Sequence, residues 1–177
     1  MANREALREL QARLAKRLQT AQTEGMSVSW LAVKSGGQHF LLPLGRSGEI
    51  VPFAAVQGVP YTKAWFNGVI NVRGSLVGVV DLAGFIAADQ GQVAKPSLIT
   101  QETSAVTLNN ALEVNCALRV DSLAGLRGSD AFASSVAPAE GAPPYFGPRF
   151  TDAQGVQWQS LDLRVLAQHP SFLNIAA

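Results

Sequence analysis

The chain has a single cysteine, Cys116, among 177 residues. One cysteine excludes an intramolecular disulfide and any metal site built on several thiolates. It lies in "EVNCALRV", where it reads as a small buried core residue. Histidine is almost as scarce. His39 falls in a strand pattern and His169 precedes Pro170 at a helix end, where it complements the helix dipole. Neither has a cysteine or carboxylate nearby at ligand spacing, so no metal and no cofactor is expected.

Charge is thin as well: charged residues make up 15% of the chain, with a formal net charge of +1, against about 25% charged in an average domain. This gives no broad electrostatic footprint for nucleic acid. Trp30, Trp158 and Phe40 sit among aliphatic and neutral residues rather than alternating with Lys and Arg, so no base-stacking platform is expected either. No apolar run approaches the roughly 18 residues of a membrane span. The first turns are charged, unlike a signal peptide. The expectation is a cytoplasmic protein with no direct membrane insertion and, given its low charge, apolar patches for partners.

Catalytic signatures are missing too. There is no G-x-S-x-G elbow, phosphate-binding loop, dinucleotide fingerprint or H-E-x-x-H. Glu49, Asp81, Asp121 and Asp162 could serve as acids or bases, but none has a second candidate near it in sequence. The reading is not an enzyme.

Residues Asn3 to Gln22 read as a helix, with Leu7, Leu10, Leu14 and Leu18 in one narrow stripe and Arg4, Arg8, Arg13, Lys16 and Arg17 opposite. Such a helix either docks on the domain that follows, its charges solvated, or presents a basic face to a membrane or partner. After Gly25 the texture is short β segments: "SVSWLAV", "HFLLPL", "EIVPF", "GVINV", "LVGVVDL", "SAVTL", "ALEVNCALRV" and "VQWQSL". "DQGQVAKPSLITQETS" and "GSDAFASSVAPAEGAPP" read as loops or linkers. Many short strands point to barrels or sandwiches. The expected fold is all-β with the amino-terminal helix and short helices, as two small β-barrel subdomains around a shared core. Residues 1–25 form the helix, 26–170 the domain with a crossing near 89–104, and 171–177 a tail.

Two segments echo one another. "WFNGVINVRGSLVGVVDL" and "YFGPRFTDAQGVQWQSLDL" each open on an aromatic pair, give a strand, a glycine turn and a second strand, and close on Asp-Leu before a short helix. In the first, Gly74 is expected to take positive φ, with Asn71 satisfying backbone groups at the turn.

Asn71-Val72-Arg73-Gly74 followed by Asp81-Leu82, with Glu49 on an earlier strand in "SGEIV" and Asp121 in "RVDSL" downstream, resembles the CheW-like chemotaxis adaptor family. The likeness covers roughly Ser27 to Gln168. The amino-terminal helix and closing "LDLRVLAQHPSFLNIA" are most similar to the PilI type, which serves twitching motility and type IV pili. The chain departs from the pattern at Gly78, where many members carry proline, and in "SLAGLRG", where acidic residues are common. The resemblance implies two small β-barrels with a groove between them and no catalysis. It further implies an adaptor bridging a chemoreceptor cytoplasmic hairpin to the regulatory domain of a CheA-type histidine kinase, recruited to receptor arrays. Glu49, Arg73 and Asn71 are then the partner-binding candidates, with Arg73 expected to pair with Glu49 across neighbouring strands, and Gly74, Asp81, Leu82 and Asp121 the structural-turn positions. The rival readings are a flagellar chemotaxis adaptor, a small β-barrel binding a ligand or nucleic acid, and an enzyme with its site spread over loops.

Overall fold

A computed structural model describes residues 30–177. The helix expected over residues 3–22 lies outside the described residues. Strand β1 (Trp30–Ser35) is buried at Trp30, Leu31, Ala32 and Val33 in succession. A strand with one wet face would alternate; this one has apolar partners on both faces. Trp30 and Ala32 enter one cluster, and Leu31 and Val33 another.

The remaining strands are β2 (Gln38–Pro43), β3 (Ser47–Pro52), β4 (Phe66–Val72), β5 (Ser75–Asp81), β6 (Ser104–Leu108), β7 (Cys116–Val120), β8 (Ser122–Arg127), β9 (Phe132–Val136), β10 (Phe146–Asp152) and β11 (Gln157–Leu161). Three short helices follow hairpins or close the chain: α1 (Leu82–Asp89), α2 (Leu163–Gln168) and α3 (Pro170–Leu173). The strands form a five-stranded middle sheet, β3-β6-β7-β5-β4, and a six-stranded flanking sheet, β8-β1-β2-β11-β10-β9. Pairings are antiparallel except β5 with β7 and β2 with β11.

Three apolar clusters explain why two sheets make one body. Ile70, Val77, Val79, Ala105 and Ala117 fill the inside of the middle sheet, and Trp30, Ala32, Leu41 and Trp158 that of the flanking sheet. A shared core lies between them, with Val33, Phe40 and Leu42 from one sheet, Val80, Leu118 and Val120 from the other, and Leu82, Phe85, Leu163 and Leu166 from the helices. Each fully buried aliphatic or aromatic side chain contributes roughly 1.5–3 kcal/mol. The expected fold of two β halves on a common core is the one observed.

The echo is also realised. The Asp81 N–H donates to the Trp65 carbonyl and the Asp162 N–H to the Tyr145 carbonyl, each at 2.8 Å. Leu82 and Leu163 each follow and are fully buried.

Four expectations are corrected. The chain does not cross between halves near 89–104. It leaves the flanking sheet through a 3-10 turn at Leu44–Arg46 and returns at Asp121, because β6 and β7 pair within the middle sheet. The expected linker "GSDAFASSVAPAEGAPP" holds β9, whose Phe132 packs on Trp30 and Phe150 with ring centroids 5.9 and 5.1 Å away. Its other residues are exposed, so no alternation marks it. Apart from these four, "SLAGLRG", noted in the sequence only as a departure from the family pattern, holds β8, paired with β1. "ALEVNCALRV" is strand only from Cys116, because Asn109 caps a 3-10 turn and Glu113 takes φ +57°. The final residues, expected as a tail, carry Phe172 into the shared core and pair Ala176 with Thr62.

Candidate functional site

Val72 pairs with Ser75, so Arg73 and Gly74 form a two-residue hairpin loop. Their φ values of +51° and +86° are those of a type I′ turn, whose right-handed twist matches that of the flanking strands. Gly74 accepts that geometry freely. Arg73 does so at roughly 1–2 kcal/mol, the strain of a left-handed backbone on a residue with a Cβ. Asn71 holds the turn through its Oδ1, which accepts from the Gly74 N–H at 2.8 Å.

The Arg73 Nε lies 3.0 Å from Glu49 Oε2, with the two side chains 82% and 46% exposed. Glu49 is anchored by its backbone N–H, which donates to Thr107 Oγ1 at 2.7 Å. The expected pairing is present but not between neighbouring strands: β3 and β4 are the opposite edges of the middle sheet. The segment that follows β3 bridges to β4 at Gln57 and Val69, bringing the two edges together, and this ion pair spans the same seam. An exposed pair contributes about 0–1 kcal/mol, no more than the strain at Arg73. Stability alone does not account for an arginine here, because asparagine takes the left-handed backbone more readily.

Asp81 and Arg119 are register partners on β5 and β7. Asp81 Oδ2 meets the guanidinium at 2.9 Å, with side chains 17% and 8% exposed. Arg119 also stacks over Phe53, 5.6 Å from its centroid. Burial pushes the Asp81 carboxyl up and Arg119 pulls it back, with a net rise above the ordinary carboxylate value. Asp81 stands before α1 but gives the helix no side-chain cap, whereas Asp162 caps α2 by accepting from the Arg164 and Val165 N–H groups.

Asp121 sits where the chain returns to the flanking sheet. Its Oδ2 accepts from the Gly36 N–H at 2.8 Å and its Oδ1 from the Ser97 hydroxyl, tying the 91–103 loop to the β1–β2 turn. Gly78 is also explained: a Cβ there would press the Phe66 ring at 3.1 Å.

Three polar features escaped the sequence reading. Arg119 is one. The second is Asp152, which accepts from the Gln154 and Val156 amides and from the Trp158 indole at 3.0 Å. That indole bond foremost, helped by the two amides, holds the carboxyl below the ordinary range. The third is fully buried Tyr145, whose hydroxyl donates to Asp89 Oδ2 at 2.8 Å, with His169 Nδ1 3.9 Å from the other oxygen. Burial first, then Asp89, push the phenol far up. The partners of Arg119 and Tyr145 lie dozens of residues away, so no spacing signal announces them, whereas those of Asp152 lie two to six residues on and were within reach of a reading of the turn.

A groove of about 470 Å³ runs beside α1, lined by His39, Gln90, Gln92, Lys95, Arg149 and Gln159. None of the seven predicted site residues lines it. Among the described residues, no group of three or more His, Cys, Asp or Glu could hold a metal ion, and no helix is long and apolar enough to cross a membrane.

The two-sheet body is that of a CheW-like domain, and the chain belongs to the CheW-like domain family, whose profile matches residues 29–171. Members are scaffold or adaptor proteins of chemosensory signalling. Within the family the chain is similar to Protein PilI of Pseudomonas aeruginosa, 31% identical over 167 residues that cover 93% of this chain and 89% of that protein. Scaffolding protein TtCheW from Thermoanaerobacter tengcongensis shares the fold, with a TM-score of 0.62 at 15% identity over 79% of this chain and 87% of that one. The resemblance carried by Asn71–Gly74 and Asp81–Leu82 is thus borne out.

Proposed function

We propose that the chain is a non-enzymatic adaptor coupling the cytoplasmic hairpin of membrane chemoreceptors to the regulatory domain of a CheA-type histidine kinase. Glu49, Arg73 and Asn71 form its partner-binding face. The carrying observation is the exposed Glu49–Arg73 pair across the seam of the middle sheet, held on a strained turn that contributes little to stability. Backbone strain kept where it brings no stability belongs to surfaces that recognise something. Similarity to Protein PilI supports a type IV pilus twitching-motility pathway, and recruitment to receptor arrays at the inner membrane follows from that role.

The test titrates a receptor hairpin and a kinase regulatory domain into wild type, Glu49→Ala and Arg73→Ala. Both variants are expected to unfold within about 1 kcal/mol of wild type. Loss of a desolvated interfacial charge should weaken binding by about 2–5 kcal/mol, roughly thirtyfold or more. Wild-type affinity of both variants for both partners would remove the proposal.

A further inference from the structure

Beyond Phe40 the shared core gives way to a polar cleft. Gln159 on β11 is the register partner of Phe40 on β2 and of Arg149 on β10. Side chains two apart on a strand share a face, so Gln157 and Gln38 stand on the same core-facing side as Gln159 and Phe40. The opposite wall is α1, with Ala83, Ile86 and Ala87, and the loop that follows it as far as Lys95. These walls bound the groove of about 470 Å³ beside α1.

The charge in this cleft is one-sided. Residues 30–177 hold nine Lys or Arg and ten Asp or Glu, yet the groove is lined by Lys95 and Arg149 and by no carboxylate. Neither cation is in an ion pair among the described residues. The Arg149 Nε donates to Gln159 Oε1 at 3.4 Å, longer than an ordinary hydrogen bond. Gln159 is itself held by its Nε2, which donates to the Gly147 and Ser160 carbonyls at 2.8 and 2.9 Å. The guanidinium is thus steered by a neutral group and can take a carboxylate bidentately through its remaining nitrogens.

The shape suits a chain better than a small molecule. Gln38, Gln90, Gln92, Lys95, Arg149 and Gln157 are exposed, whereas small-molecule sites enclose about 70–90% of their ligand. Both aromatic rings of the lining are already engaged, His39 against Trp158 and Phe146 against Tyr145, with centroids 4.8 and 5.5 Å apart. A second cavity of about 880 Å³ shares Gln90, Phe146, Arg149, Gln157 and Gln159 with the first, so the trough continues past Arg149. The acidic side chains Asp89 and Glu140 line only that second part. Glutamines offer both donors and acceptors, which match the N–H and C=O groups of an extended backbone.

We propose that the cleft between α1 and the flanking sheet docks an extended acidic segment of a protein partner, its carboxylates on Arg149 and Lys95 and its backbone on the glutamines. Glu49, Arg73 and Asn71 do not line this surface, so it stands independently of the receptor–kinase reading.

The test titrates the full chain into a fluorescein-labelled octapeptide of alternating Glu and Val and reads fluorescence anisotropy. In an extended chain the alternation puts every carboxylate on one face. The Glu/Val peptide should bind about tenfold tighter than its Gln/Val counterpart, and each of Arg149→Glu and Lys95→Glu should weaken it by about tenfold or more. Both replaced side chains are exposed, so urea unfolding of the variants should match wild type. Raising salt from about 0.05 to about 0.5 M should weaken binding several-fold. Glu49→Ala and Arg73→Ala should bind the peptide as wild type does. Absence of binding up to about 1 mM peptide, equal affinity for the Glu/Val and Gln/Val peptides, or full affinity in both charge-reversed variants overturns the proposal. Displacement of the peptide by an equal concentration of succinate or inorganic phosphate would assign the cleft to a small anion and overturn it as well.

Discussion

In the β4–β5 hairpin the turn residue Arg73 points outward to Glu49, and the corner residue Asp81 is buried against Arg119. In the β10–β11 hairpin the arrangement is inverted. Asp152 at the turn is clasped by the Trp158 indole and two amides, while the corner residue Asp162 is exposed and caps a helix. The frame is common to both, down to the 2.8 Å bond from each corner aspartate N–H to the carbonyl of the first aromatic. One hairpin therefore leaves its tip in water and secures its base. The other secures its tip and lets its base meet water.

The largest test of that contrast is Arg119→Ala. It strands a buried carboxylate and should destabilise by about 3–5 kcal/mol in urea unfolding. Asp162→Ala breaks the corresponding corner of the second hairpin and should cost only about 1 kcal/mol, the loss of a helix cap. Similar losses for the two would erase the distinction between a buried and a solvated corner. At the tip of the first hairpin, Arg73→Asn relieves left-handed strain and should raise the unfolding midpoint by the equivalent of up to about 1 kcal/mol. The same variant should bind receptor hairpin and kinase domain as poorly as Arg73→Ala. A destabilised Arg73→Asn would mean the ion pair matters more to the fold than its exposure indicates.

The smallest effect is in the pH profile. The folded-state value of Asp152 lies below the unfolded value of about 3.9. The stability it contributes is therefore complete above that value and lost as pH falls through the folded one. Asp81 is shifted upward, so its contribution has the opposite sign and diminishes as pH rises through its folded value. Urea midpoints from pH about 6 to about 2 should show the acid loss soften in Asp152→Asn and not in Asp81→Asn. Parallel profiles for the two variants would contradict the opposed shifts.

What the sequence disclosed was local or periodic. Asn71, Arg73 and Gly74 lie within four residues, so the turn chemistry is written in the order of the chain. The core strands announce themselves by apolar content. Strands β8 and β9 do not, because each is a sheet edge with most of its side chains in water, and Gly125 breaks what alternation β8 has. Arg119 was hidden for another reason: inside "CALRV" a charge reads as the solvent-facing member of a strand, and only the parallel pairing with β5 shows it facing Asp81. The Glu49–Arg73 pair was legible as a pairing but not as a seam, since curvature of a sheet leaves no mark on either strand alone.

The parallel pairing of β2 with β11 has a consequence for the order of folding. Phe40 opposes Gln159, about 120 residues away, and closing such a loop costs about 4 kcal/mol of chain entropy. The middle sheet, built wholly from residues 47–120, closes shorter loops: its farthest pairing, Ser47 with Leu108, joins residues about 60 apart and costs roughly 0.6 kcal/mol less. Even once formed, it shortens the open chain to roughly 50 residues and lowers the closure cost by less than 1 kcal/mol. The flanking sheet is thus the late step in refolding, as long-range pairings generally are. Trp30 and Trp158 lie inside that sheet and Trp65 in the shared core, so the slow phase of tryptophan fluorescence during refolding reports the two ends of the chain finding each other.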